Sequence, residues 1–206
     1  MDVVAALVIA YLLGTIPAAV IVARVATGGA VDIRTAGSGN PGAFNTLGVL
    51  GAKWGAVVLL ADVGKAALAC VIGRELGGAN AAYLAGSVAV LGHCFPVWTR
   101  FRGGKGVACA GGQCLATFPL YSPVALIVAV VTSRRRFESR SFAAASITMI
   151  IWMAAAAIWI AADVPNAWGP EPTWGLLVSA AISGFVIVYK FTTSTTTPQP
   201  PVPAAS

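Results

Sequence analysis

The sequence predicts an all-α, polytopic integral membrane protein with seven transmembrane helices and cytoplasmic glycine-rich loops. Three observations support that expectation. Of 206 residues, 58% are hydrophobic and only 10% are charged, against roughly a quarter charged in an ordinary soluble domain. Several apolar runs reach the roughly 20 residues that the hydrocarbon core of a bilayer demands of a helix. The basic residues, which leave a net charge of +6, gather in the loops between those runs.

The candidate spans are 3–24, 52–73, 79–98, 106–118, 120–133, 142–162 and 174–190. The first begins after acidic Asp2 and lacks the basic start of a secretory signal, so it is expected to stay as a membrane helix. The fourth and fifth are short and hinge near Pro119 and Pro123, where proline removes an intrahelical hydrogen bond. They read as two thin helices or as one kinked span, and charge counting decides between these. If both cross, loops 25–51, 99–105 and 134–141 share one side with the C-terminal tail. That side collects Arg34, Arg100, Arg102, Lys105, Arg134, Arg135, Arg136 and Arg140, with Arg24, Lys53 and Lys190 at its helix ends. The other side keeps Arg74 as its only basic residue, beside Glu75, Asp163 and Glu171. The positive-inside rule then makes the basic side cytoplasmic, puts the N-terminus outside and favours seven spans.

Residues 1–191 are expected to form one membrane domain, and 192–206, rich in Thr, Pro and Ala, a disordered tail. No internal repeat suggests the inverted halves of a transporter. Nucleic acid is not an expected partner, because no Arg/Lys face interleaved with aromatics occurs outside the loops. Cys70, Cys94, Cys109 and Cys114 lack the paired spacings and His partners of a zinc site, and read as small buried hydrophobes. No metal is expected.

Two loops have phosphate-binding chemistry. Gly37-Ser38-Gly39-Asn40-Pro41-Gly42-Ala43-Phe44-Asn45 holds three glycines in six positions, so its backbone N–H groups can turn toward an anion. By composition alone such a cluster is more often a plain turn. Arg100-Phe101-Arg102-Gly103-Gly104-Lys105-Gly106 runs into an apolar helix. There it offers bare backbone donors, a positive dipole end and a cation. It is not a Walker A loop, since the first glycine and the Ser/Thr after the lysine are missing.

His93, the only histidine, lies beside that loop; a lone histidine is more often a structural hydrogen-bonder than a catalyst. Asp62 and Lys65 share a helical face in an apolar span, and read as a self-neutralising pair slightly more readily than as direct chemistry. The arginines of 133–141 read as topology anchors that also raise the anion-attracting potential nearby.

Taken together, these segments resemble the PlsY family of bacterial membrane acyltransferases. The resemblance covers nearly the whole chain: Tyr11-Leu12-Leu13-Gly14-Thr15-Ile16-Pro17, the Gly37–Asn45 segment, Asp62-Val63-Gly64-Lys65, Gly92-His93-Cys94-Phe95-Pro96-Val97-Trp98, and Phe101-Arg102-Gly103-Gly104-Lys105-Gly106-Val107-Ala108. Each motif is weak, but their order and spacing around the spans are specific.

The resemblance implies a multi-pass enzyme of the bacterial cell membrane whose active loops face the cytoplasm. It would move an acyl group from acyl phosphate to the sn-1 hydroxyl of glycerol 3-phosphate, giving lysophosphatidic acid and phosphate without a cofactor. Motif by motif, it assigns catalytic roles to Ser38 and Lys105. It assigns substrate contacts to Asn40, Asn45, His93, Gly103, Gly104, Gly106 and Ser141.

The chain departs from the family pattern at Gly48, where an arginine is usual, and at Ala144, where a second serine is expected. It departs again at Phe191 and Ser194, where the family places a His and an Asn. These departures leave three readings open: an enzyme with compensating groups, an acyltransferase for another acceptor, or a non-catalytic membrane scaffold. A transporter is a weaker rival, supported only by Asp62 and Lys65.

Overall fold

In the computed structural model, residues 2–124, 127 and 141–193 are described, with side chains from 146 onward in the second helical block. Among them the secondary structure is entirely helical. We label the segments α1 (Asp2–Gly14), α2 (Ala18–Thr27), α3 (Ala43–Leu50), α4 (Ala52–Cys94), α5 (Val107–Thr117), α6 (Ser141–Ala161) and α7 (Trp174–Thr193). These labels count helical segments, not membrane crossings.

Among the described residues, three apolar stretches are long enough to cross a membrane: Asp2–Thr27, Ala52–Thr99 and Trp174–Thr193. Val107–Thr117 and Ser146–Ala161 are shorter apolar helices. The expected fifth span, 120–133, and the Arg134–Arg140 cluster lie almost wholly outside the described residues.

Drawn straight, the 43 residues of α4 would measure about 65 Å, twice the ~30 Å hydrocarbon thickness. The helix is not straight. Gly78 breaks it with φ 75° and ψ −165°, a conformation that glycine alone adopts at no steric cost. A Cβ placed on Gly73 would meet the Ala81 carbonyl and the Ala85 side chain, and one on Gly86 would meet Cys70 Sγ. The two halves therefore run antiparallel, as the separate spans 52–73 and 79–98 require.

This hairpin is the centre of the fold: α1, α3, α5 and α7 all pack on it, and α6 packs on α7. Glycines set the crossings. A Cβ on Gly14 would strike the Ala89 carbonyl, and one on Gly112 the Val63 carbonyl. The core itself is mostly alanine, with Ala66, Ala69, Ala85 and Ala89 fully buried. Small residues let helix backbones approach, which matters most where lipid removes any hydrophobic drive for helices to associate.

Two expectations need revision. The run 3–24 is not one continuous helix: Pro17 has no N–H to give and ends α1 at Gly14, with the Thr15 hydroxyl bonding back to the Leu12 carbonyl at 2.7 Å. The last helix continues to Thr193, two residues into the expected tail, with the Thr192 and Thr193 hydroxyls donating to the Tyr189 carbonyl. Residues 194–206, Ser194 included, lie outside the described residues.

Candidate active site

Chain reversal at Gly78 brings the last turn of α4 back to the level of Asp62 and Lys65, so His93 meets them across the hairpin. The Lys65 ammonium is ion-paired with Asp62 Oδ1 at 2.7 Å, donates to the Ile16 carbonyl at 2.9 Å and lies 3.0 Å from His93 Nδ1. His93 Nδ1 is 3.3 Å from Asp62 Oδ1. The Cys109 thiol donates to the main-chain carbonyl of Asp62 at 3.3 Å. All four side chains are buried.

The Ile16 carbonyl lies in the break before Pro17, where it accepts the Ala18 N–H at 3.0 Å as well as the ammonium, so the broken first span and the buried lysine belong to one arrangement. Asp62, His93 and Cys109 place their donor atoms within 4.8 Å of one another, a spacing that could hold a metal ion. The Lys65 ammonium already occupies the space between Asp62 and His93, so the cation of this cluster is the chain's own.

Beyond His93 the chain winds tightly. A 3-10 turn at Val97–Thr99 is followed by Arg100 and Phe101, both left-handed at φ 54° and 62°. The Phe101 N–H donates back to the Pro96 carbonyl at 2.9 Å. Gly103 and Gly104 then donate their N–H groups to the Cys94 and His93 carbonyls at 3.1 and 3.2 Å. Those carbonyls are among the last of α4 and lack intrahelical partners.

The two amides that the sequence offered to an anion therefore cap a helix instead. The glycines are required here by contact: a Cβ on Gly103 would strike the His93 carbonyl, and one on Gly104 would strike His93 Nε2. Lys105 places its ammonium over the Phe191 ring, 4.5 Å from the centroid. Gly106, left-handed at φ 84°, then starts α5.

In the first loop, Asn45 is buried and works on the backbone. Its amide donates to the Ile33 and Ala36 carbonyls at 3.0 Å each, and its Oδ1 accepts the Ser38 N–H at 2.8 Å. The Asn40 N–H lies 3.5 Å from the Ser38 hydroxyl. Arg34 forms a two-pronged bond with Asp32, Nε to Oδ1 at 2.9 Å and Nη2 to Oδ2 at 2.7 Å. That bond holds the Asp32 carboxyl below its ordinary range and raises the guanidinium.

A cleft opens where these parts meet. Its wall is the Gly14–Ala18 break, Arg34 and Pro41 from the first loop, His93, and Arg102, Gly103 and Gly104 from the second. His93, Gly103 and Gly104 of the expected set line it. Ser38, Asn40 and Asn45 belong to the loop that presents Arg34, while Lys105 and Gly106 directly follow the lining glycines. Ser141 begins α6, and its side chain lies outside the described ones.

From the sequence Arg34 reads only as a topology charge, and Arg102 as part of the second loop with no substrate contact of its own, although each stands within a few residues of a glycine motif. Gly48, where the family has an arginine, sits on an exposed face of α3, with open space where a side chain would begin.

A bundle of apolar helices carrying a cleft lined by two arginines and a glycine-bounded histidine defines a membrane protein. Residues 4–196 match the glycerol-3-phosphate acyltransferase family, and the chain belongs to it. Curated relatives of that name include one from Exiguobacterium sibiricum, 44% identical over 133 residues that make up 65% of this chain and 64% of the relative. Another, from Geobacillus kaustophilus, is 43% identical over 141 residues, 68% and 71% of the two chains. The aligned part thus spans a little under two thirds of the Exiguobacterium protein.

Among solved structures, the glycerol 3-phosphate form of PlsY, an integral membrane glycerol 3-phosphate acyltransferase, superposes with a TM-score of 0.71 at 28% identity, covering 93% of this chain and 89% of that one. The lysophosphatidic acid form of the same protein gives a TM-score of 0.70 at 26% identity, covering 92% and 88%.

Proposed function

We propose that this protein is a membrane acyltransferase that moves a fatty acyl group from acyl phosphate to the sn-1 hydroxyl of glycerol 3-phosphate, releasing lysophosphatidic acid and inorganic phosphate. The observation that best supports the reading is the cleft in which Arg34, Arg102 and His93 converge beside Gly103 and Gly104. Both substrates carry phosphate, so the site needs cations and directed donors more than an acid/base pair.

The sn-1 hydroxyl oxygen attacks the acyl carbonyl carbon, the carbonyl carbon–phosphate oxygen bond breaks, and the departing phosphate takes the hydroxyl proton. Acyl phosphate is already activated, so no Ser-His-Asp set is needed. Lys105 supplies charge at the mouth of α5, Ser38 a hydroxyl from the first loop, and Asn40, Gly106 and Ser141 substrate contacts at its edge. Asn45 contributes by holding that loop in shape. The chain crosses the bacterial cell membrane seven times, with loops 25–51 and 99–105 cytoplasmic and residues 1–191 forming the acyltransferase domain.

Purified protein in lipid, given palmitoyl phosphate and glycerol 3-phosphate, is expected to release phosphate and form lysophosphatidic acid. Binding of both without turnover would replace this reading with the non-catalytic scaffold. Turnover only with another alcohol would reassign the acceptor.

A further inference from the structure

An ammonium group has three N–H donors and no lone pair. Lys65 has three partners arranged around it: the Ile16 carbonyl, to which it donates at 2.9 Å, Asp62 Oδ1, its ion-pair partner at 2.7 Å, and His93 Nδ1 at 3.0 Å. If Nδ1 carried a proton, two donors would face each other at 3.0 Å in a buried site. Asp62 Oδ1, 3.3 Å from Nδ1, could draw a proton there, but it is already closer to Lys65. The Cys109 thiol directs its proton to the Asp62 main-chain carbonyl. The neutral ring therefore accepts at Nδ1 and carries its proton on Nε2. Nε2 is the ring atom nearest Gly104, on the wall of the cleft.

We infer that Lys65, held in place by Asp62 and by the Ile16 carbonyl, is a positioning residue that fixes His93 as an Nε2–H donor for a phosphate oxygen in the cleft. This rests on reading the cleft as the site of a phosphate-bearing substrate. It gives the buried ion pair a task beyond self-neutralisation. A charged pair at membrane depth is costly, and this one sets the direction of a neutral donor in a pocket that otherwise offers arginines. It also explains why Gly104 must be glycine, since a Cβ there would occupy the space in front of Nε2.

The chain has a single histidine, so ring-15N histidine labelling reports this ring alone. In proteoliposomes, NMR is expected to show Nδ1 unprotonated and Nε2 protonated. Glycerol 3-phosphate should then shift the Nε2 signal and leave Nδ1 in place. Lys65→Gln should return the ring to a mixture of tautomers and raise KM for glycerol 3-phosphate about tenfold or more, the usual effect of losing a hydrogen bond to a charged group, with a smaller change in kcat.

A protonated Nδ1 in the unmodified protein overturns the inference, as does an Nε2 signal that ignores saturating glycerol 3-phosphate. Both measurements stand even where Lys65→Gln fails to fold. Acyl transfer from palmitoyl phosphate, assayed in parallel, separates the two claims. Transfer by a protein with protonated Nδ1 sinks the positioning role alone. Lack of transfer with the Nε2–H ring intact sinks the acyltransferase reading alone.

Discussion

Ser87, Gln113 and Ser183 meet as neutral groups where α4, α5 and α7 cross, whereas Asp62, Lys65 and His93 meet as ionisable groups where α4 folds back beside the cleft. In the neutral cluster, Ser183 donates to Gln113 Oε1 at 2.7 Å, Gln113 Nε2 to Ser87 Oγ at 3.2 Å, and Ser87 to the Ser179 carbonyl at 3.0 Å. None of these side-chain atoms is orphaned. In the charged cluster, both Asp62 carboxylate oxygens are buried without a hydrogen bond, Oδ1 being ion-paired only. Charges that are paired but not fully satisfied are poor glue. The difference teaches that the serine–glutamine network holds helices together, while the charged cluster is kept for what it does to the cleft.

The sharpest way to break that contrast is to remove one charge. Asp62→Ala leaves the Lys65 ammonium buried and unpaired, and is expected to destabilise the protein by about 3–5 kcal/mol, read as a lower melting temperature in detergent. Asp62→Leu combined with Lys65→Met removes both charges and should recover most of that stability but not acyl transfer. Recovery of transfer in the double variant would make the cluster mere glue.

Gly104→Ala tests the cleft side of the same cluster. Its Cβ would push on His93 Nε2, so acyl transfer should fall by about a hundredfold, in the range seen when a reacting group is displaced by an ångström or so. The stability loss should stay near the 1–3 kcal/mol typical of overpacking. Equal losses of folding and activity would show that the glycine serves the helix cap alone.

On the neutral side, Ser183→Ala should cost only about 0.6–1.7 kcal/mol, the range of interhelical hydrogen bonds in membrane proteins, and leave kcat/KM unchanged. A selective loss of activity there would erase the distinction between the two clusters.

These clusters differ also in how far the sequence disclosed them. The pair at 62 and 65 was legible because residues three apart share a helical face, and the spans were legible from apolar length. The gap between spans 52–73 and 79–98 leaves residues 74–78 for a turn, and the structure breaks α4 at Gly78. That His93 answers the pair was not legible, since their meeting depends on the register of a hairpin about thirty residues around. Nor was the use of the Gly103 and Gly104 amides: glycine next to a lysine announces an anion site and a helix cap alike, and only the distance to the Cys94 and His93 carbonyls separates them. Pro17 was visible as a proline, but the sequence did not show that its broken helix would supply an acceptor to Lys65.

Asp32 and Arg34 supply the mildest case, an ion pair at the cleft with both side chains about two-fifths exposed or more. Solvent screens such a pair, so Asp32→Asn is expected to change stability by less than about 1 kcal/mol. The sign with pH is fixed by the shift. Hydrogen bonding to Arg34 lowers the Asp32 pKa in the folded protein below its ordinary value of 3.8. Its contribution is therefore fully present above that value and disappears as pH falls through the lowered one. Releasing Arg34 from its carboxylate should make the guanidinium more available to anions, so Asp32→Asn should lower KM for glycerol 3-phosphate by a few-fold at neutral pH, with kcat little changed. A raised KM would mean that Asp32 holds Arg34 in its working orientation, giving this exposed pair the same kind of positioning role as Asp62 and Lys65.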